Sequence, residues 1–329
     1  MWKLVVPVVA IAIVFASFAH AEEPKFELGL IGLDTSHVIA FTRILNDPGD
    51  ANHVPGARIV AAYQGGSDDL PSSYERVEGY TEQLVQDWGV TLYDTIEELC
   101  ENVDAILLTS VDGRPHLEQA RPVIEAGLPI FIDKPLAASL EDAVAIFDLA
   151  EAHDVPMFSS SSLRYYDSVV EMAQADVGAI TGADSVGPCA IEPTHPDLFW
   201  YGIHAVEMLF TIMGPDCEEV VRVHTEDTDL VVGRWADGRV GTFRGIRNAH
   251  SPFRLTIYGT DGIEAERITG SYRGQLEVAL EMFRTGEPPI SREETLAIFA
   301  FMQAAEVSKE RDGAPVRLDE VLEAAKNTQ

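Results

Sequence analysis

From Lys25 to Asp133 the chain alternates short apolar runs with longer amphipathic ones, and this alternation limits the possible folds more than any other feature. Phe26–Gly32, Arg58–Tyr63, Thr91–Tyr93, Ala105–Thr109 and Pro129–Asp133 read as strands. Val38–Leu45, Tyr74–Trp88, Ile96–Cys100 and Pro115–Ala126 read as helices between them. Such alternation predicts a parallel, doubly wound α/β sheet, and near-continuous apolar strands suit a sheet covered on both faces. Ser139, with Asp142 three residues on, predicts the N-cap of a helix reaching about His153, after which Val155–Phe158 returns to the sheet.

The texture changes near Ser159. Val220–His224, Thr228–Trp235, Arg239–Arg244 and Arg254–Tyr258, separated by Asp-Gly turns, predict a mostly antiparallel sheet. Helices are expected over Gln275–Arg284 and Glu293–Lys309, packing back on one of the domains. A length of 329 residues suits two domains of ordinary size. The expected division is a doubly wound unit over residues 22–158 and an α+β open-sheet unit over 159–329.

Residues 1–21 stand apart as a secretory signal peptide: a basic start at Lys3, an apolar run Leu4–Phe18 and the small-x-small site Ala19-His20-Ala21. The run is shorter than the roughly 20 residues that span a bilayer, so a stable membrane anchor is not expected. The expectation is a periplasmic or secreted protein beginning near Glu22. No Arg pair precedes the apolar run, so the route that exports folded, cofactor-loaded proteins lacks its signal. A net charge of −31 and a pI near 4.4 exclude nucleic acid and anionic membrane surfaces as partners. Cys100, Cys189 and Cys217 are too few for a disulfide scaffold, and core packing is their expected role.

Four blocks resemble the Gfo/Idh/MocA oxidoreductases, named for glucose-fructose oxidoreductase and inositol dehydrogenase. They are the first strand and turn, "HLEQARPVIEAGLPIFIDKPLA" (His116–Ala137), "GIHAVEMLFTIMG" (Gly202–Gly214) and "QAAEVSKERDGAPVRL" (Gln303–Leu318). The resemblance implies an N-terminal Rossmann domain with NAD or NADP as cofactor, and a C-terminal domain for substrate and self-association. It also implies hydride transfer with a sugar, cyclitol or related polyol. Lys134, in a block where the family usually has Glu-Lys-Pro, falls at the catalytic lysine, and His204 at the histidine general base. Glu207 lies one turn beyond His204, where it would orient the imidazole. Trp200 replaces an Asp that completes the family's catalytic set; an aromatic there can stack on a sugar but cannot move a proton. Asp197 or His195 in "THPDLFW" are the candidate replacements, and Arg164 is placed at the crevice mouth as a binder of hydroxyls or a carboxylate.

The first turn departs from the dinucleotide fingerprint G-x-G-x-x-G. Aligned on Gly32 it reads Gly32-x-Asp34-x-x-His37, with Thr35 and Ser36 between. An anion at Asp34 would repel a pyrophosphate, and no acid stands on Tyr63 or Gln64 to hold a ribose. Two chemistries therefore remain open at Gly32, Asp34, Thr35, Ser36, His37 and His116. One is a variant nicotinamide site; the other is a zinc or manganese site built from Asp34, His37 and His116, serving a hydrolase, lyase or epimerase of carbohydrates. A non-catalytic sugar-binding protein is the least attractive reading, because Lys134 and His204 are retained. A homo-oligomer acting on a small carbohydrate is expected.

Overall fold

The computed structural model describes residues 26–328, so the segment read as a signal peptide lies outside the described residues. Six parallel strands form the first sheet: β1 (Phe26–Ile31), β2 (Ala57–Tyr63), β3 (Thr91–Tyr93), β4 (Ala105–Leu108), β5 (Ile130–Asp133) and β6 (Met157–Ser160). Their order, β3-β2-β1-β4-β5-β6, reverses between β1 and β4. That reversal is the switch point where ligands of open α/β sheets bind, beyond the carboxyl ends of the strands.

The helices are α1 (Ser36–Asn46), α2 (Pro71–Tyr74), α3 (Val77–Trp88), α4 (Ile96–Cys100), α5 (His116–Glu125) and α6 (Leu140–Ala152). Local chemistry sets their starts: Thr35, Thr95 and Ser139 each accept a hydrogen bond from a first-turn backbone N–H. On one face of the sheet Leu28, Leu30 and Ile59 pack with Phe41 of α1 and Leu84 of α3. The other face packs Ile31, Ile106 and Ile132 against α4, α5 and α6. Both faces are covered, as the apolar strands require.

The second sheet holds β7 (Ile180–Pro188), β8 (Cys217–His224), β9 (Thr228–Trp235), β10 (Val240–Ile246), β11 (Arg254–Gly259), β12 (Ile263–Arg267) and β13 (Val316–Arg317), in the order β12-β11-β7-β10-β9-β8-β13. All its pairings are antiparallel except β7 with β10. Its helices are α7 (Asp167–Ala173), α8 (Ile203–Met213), α9 (Arg273–Thr285), α10 (Arg292–Glu310) and α11 (Leu318–Lys326). One sheet face packs on α8 and α10. The α9 helix instead inserts Leu276, Leu280 and Phe283 into the core beside β1 and α1, which brings Tyr272 over the first turn. All three cysteines are free and buried. No described helix is long and apolar enough to cross a membrane.

Beneath the second sheet the fully buried guanidinium of Arg222 joins Asp197, Asp229 and Glu306. Across the two units, His195 Nε2 lies 3.2 Å from Asp112 Oδ1. The same carboxylate accepts hydrogen bonds from Arg114 and from the Ser67 hydroxyl. Burial works against its charge, but His195, Arg114 and Ser67 outweigh that and hold Asp112 well below the usual carboxylate range. A depressed acid stabilises the fold above its unfolded pKa, near 3.8, and loses that contribution progressively as the pH falls from there through its lower folded-state value. Asp112→Asn should therefore cost about 1–3 kcal/mol at neutral pH and flatten the acid limb of stability below about pH 4, measured by urea unfolding across pH.

Candidate active site

The carboxyl ends of β1, β4, β5 and β6 open toward α8 and Tyr272 of the second unit. Gly32 leaves β1 with φ +84°, and a Cβ there would lie 2.5 Å from the Ser110 backbone, so the first fingerprint glycine is required by packing. The next two fingerprint positions are filled. Asp34 is fully buried, accepting from Val111 N (2.8 Å) and the Ser73 hydroxyl (2.6 Å), while burial raises its pKa despite those bonds. The expectation that Asp34 would set an anion against a pyrophosphate is modified: the carboxylate is turned inward and ties together the loops after β1, β4 and β2.

His37 also points inward. Its Nδ1 lies 2.5 Å from Asp133 Oδ2 at the end of β5, and its ring packs on Phe41 and Tyr272 with centroids 5.4 and 4.7 Å away. Thr35 serves as the helix cap, and Ser36 is the exposed residue of the turn.

His116 is a structural residue here, which corrects its placing as a cofactor or metal group. Its Nδ1 and Nε2 face the carbonyl oxygens of Leu136 and Ser110, at 3.1 and 3.0 Å, so neither nitrogen is open to a ligand. Among the described residues no group of three or more His, Cys, Asp or Glu side chains is placed to hold a metal ion. Asp34, His37 and His116 each turn to a different protein partner, so the zinc or manganese constellation does not assemble.

Lys134 and His204 do come together. The Lys134 ammonium makes no hydrogen bond among the described residues; burial pushes its pKa down, against the attraction of Asp133 and Asp34 and with the repulsion of Arg76. Burial also holds His204 well below the ordinary imidazole range, reinforced by the charges of Lys134 and His37. Lys134, His204, His37 and Asp133 thus lie within electrostatic reach of one another.

Ser161, rather than Glu207, sets the imidazole of His204: its hydroxyl lies 2.7 Å from Nδ1. Glu207 acts one step back, accepting from the Ser161 backbone N–H at 2.6 Å and pairing with Arg164 at 3.1 Å, while burial pushes it up to about 7. Arg164 is not at the mouth of the crevice but buried between Glu207 and Glu294. Asp197 is spent on Arg222 and Lys309. Trp200 packs on His195, whose Nε2 faces Asp112, so neither residue replaces the missing catalytic acid. The sequence reading missed Asp133, Ser161 and Tyr272. Only Asp133 left a signal, as the acid of "DKP".

A cavity of about 630 Å³ opens beside the ends of β2 and β3. Tyr63, Gly65 and Gly66 line it together with Asp94, Glu97 and Glu118. Both glycines have positive φ, so the chain presents bare backbone there. Carboxylates and bare backbone suit the adenosine half of a dinucleotide, and the acids absent from Tyr63 and Gln64 are supplied by Asp94 ahead of α4, Glu97 in α4 and Glu118 in α5. With Asp34 turned inward, the residues present fit the group.

Residues 57–161 match the family model described as "Oxidoreductase family, NAD-binding Rossmann fold". The D-xylose 1-dehydrogenase (NADP(+)) 2 of Haloferax volcanii is 24% identical over 314 residues, covering 79% of this chain and 95% of that protein. The myo-inositol 2-dehydrogenase of Thermotoga maritima is 25% identical over 285 residues, covering 70% and 85%. Among solved structures, scyllo-inositol dehydrogenase from Lactobacillus casei with bound NAD(H) and scyllo-inositol superposes with a TM-score of 0.73 at 15% identity, covering 90% of this chain and 99% of that one. A probable dehydrogenase from Thermotoga maritima gives 0.72 at 22% identity, with 89% and 99% covered. Sheet order, matched segment and relatives agree: residues 57–161 match the Gfo/Idh/MocA oxidoreductase family, and the fold as a whole is similar to that of the dehydrogenases above.

Proposed function

We propose that the chain is an exported dehydrogenase that oxidises a secondary hydroxyl of a sugar or polyol with NAD. The observation that carries this reading is the Lys134 ammonium, which has no hydrogen-bond partner among the described residues and lies within electrostatic reach of the buried His204. There it would donate a hydrogen bond to the reacting oxygen and stabilise negative charge as the proton leaves. Ser161 and Glu207 fix the His204 ring, and Tyr201 and Phe253 pack on it with centroids 4.9 and 5.7 Å away. A bound nicotinamide supplies the hydride acceptor; Gly32, Ser36, Tyr63, Gly65 and Gly66 are the residues that would hold the dinucleotide.

NAD rather than NADP is favoured by charge. Asp94, Glu97, Glu118 and Glu125 line the cavity, and its single cation, Arg121, lies 3.8 Å from Glu125. A 2′-phosphate would bring further negative charge to four carboxylates. Export is supported by the three-part segment at residues 1–21. Self-association is supported by the open face of the second sheet, where Val223 and Val240 are exposed.

Three measurements test this. Calorimetric titration should show NAD binding at least about tenfold tighter than NADP, a difference of about 1.4 kcal/mol; tighter NADP would reverse the assignment. Lys134→Met should retain NAD binding while lowering kcat on myo-inositol or D-xylose, the two substrates named for relatives, by about 10²–10⁴-fold. Unchanged turnover would remove Lys134 from the mechanism. N-terminal sequencing of the extracytoplasmic fraction should begin at Glu22, and an intact Met1 there would refute cleavage.

A further inference from the structure

We propose that His37, held by Asp133, is a proton-transferring residue of the crevice, a role that the glycine of the usual fingerprint cannot have. The proposal rests on the dehydrogenase reading above.

The argument begins with what each nitrogen can do. An ionised carboxylate only accepts hydrogen bonds, so the 2.5 Å contact with Asp133 Oδ2 places a proton on His37 Nδ1. In the neutral ring Nε2 then carries the lone pair. That atom makes no hydrogen bond among the described residues, and the His37 side chain keeps 11% of its surface exposed. Phe41 and Tyr272 pack on the ring and hold its orientation.

His204 is less committed. Its Nδ1 faces the Ser161 hydroxyl, which itself accepts from Leu163 N at 3.2 Å and remains able to donate to the imidazole. When it donates, Nε2 of His204 carries the proton and cannot take another. The second unit offers no substitute, because Trp200 stands at the position of the usual acid while Asp197 and His195 are engaged elsewhere. The first unit supplies the base instead.

Asp133 Oδ1 is buried and has no hydrogen-bond partner among the described residues. The carboxylate therefore keeps an acceptor atom unsatisfied, beside Lys134 in sequence, and its charge is available to hold an imidazolium. In the oxidation the substrate C–H bond would break with its electron pair leaving as hydride, for which a bound nicotinamide would be the acceptor. The O–H bond breaks with its proton passing to His37 Nε2, and the carbon–oxygen double bond forms. The proton then leaves His37 Nε2 for water, which returns the imidazole to its starting state.

The experiment restores the fingerprint glycine. His37→Gly should retain NAD binding by calorimetry and lose turnover of myo-inositol or D-xylose by about 10²-fold or more. Free imidazole in the assay should recover part of that loss, which a packing defect would not show. His37→Gln serves if the glycine variant does not fold, and should lose the fall of kcat toward low pH that protonation of a catalytic base produces. Independently of turnover, histidine Cε1 NMR titrations should place the His204 midpoint higher in His37→Gln than in the unaltered chain, because one neighbouring positive charge is gone. Full turnover in His37→Gly, or an unmoved His204 midpoint, would overturn the proposal. Failure of the unaltered chain to bind NAD would refute the dehydrogenase reading instead, and the His204 titration would still decide whether the two imidazoles share a crevice.

Discussion

The carboxylate of Asp34 governs the geometry at the switch point. It sits where the fingerprint has a glycine, and satisfies the backbone N–H of Val111 and the hydroxyl of Ser73 at once. Three loops from three strands are thereby fixed to one another. Charge-assisted hydrogen bonds of this kind are each worth about 1.5–3 kcal/mol, and a buried carboxylate deprived of them would be costly. The crevice floor on which Lys134 and His37 stand is consequently a rigid surface. A glycine at this position would free the backbone for a ligand but would leave those loops to be joined by something else.

The first sheet was legible because its signals are local. Each apolar run matched a strand, and Ser139 capped its helix as its position promised. The second unit was read less completely, for physical reasons. The α8 helix is buried on every side, all its residues but Thr211 being inside, so it shows no amphipathic period. Strand β7 contains two glycines, an aspartate and a proline, and was passed over. At the site, Lys134 and His204 could be found because matched blocks surround them. The partnership of His37 with Asp133 spans 96 residues and has no local signature.

Two departures from the family pattern become one when that contact is considered. An imidazole stands where the fingerprint has a glycine, and the acid of the usual Glu-Lys-Pro is one methylene shorter. The shorter acid leaves room for the ring, and the ring needs an acceptor at that distance. Neither change is easily explained alone. Together they satisfy a hydrogen bond, and residues in direct contact in this way act on stability as a coupled pair. They also alter the electrostatics, since the acid now answers to an imidazole as well as to the neighbouring lysine.

The three cysteines give the molecule a further property. Burial pushes the Cys100 thiol up to about 11 and those of Cys189 and Cys217 up to about 12, so almost no thiolate exists in the folded chain at neutral pH. A disulfide or an oxidised sulfur can therefore be introduced only while the chain is open. For thiols buried in this way, the hazard of oxidation is confined to the interval before the core closes. Once packed, its thiols report loss of structure: the rate at which a thiol reagent labels them measures how often each part of the core opens.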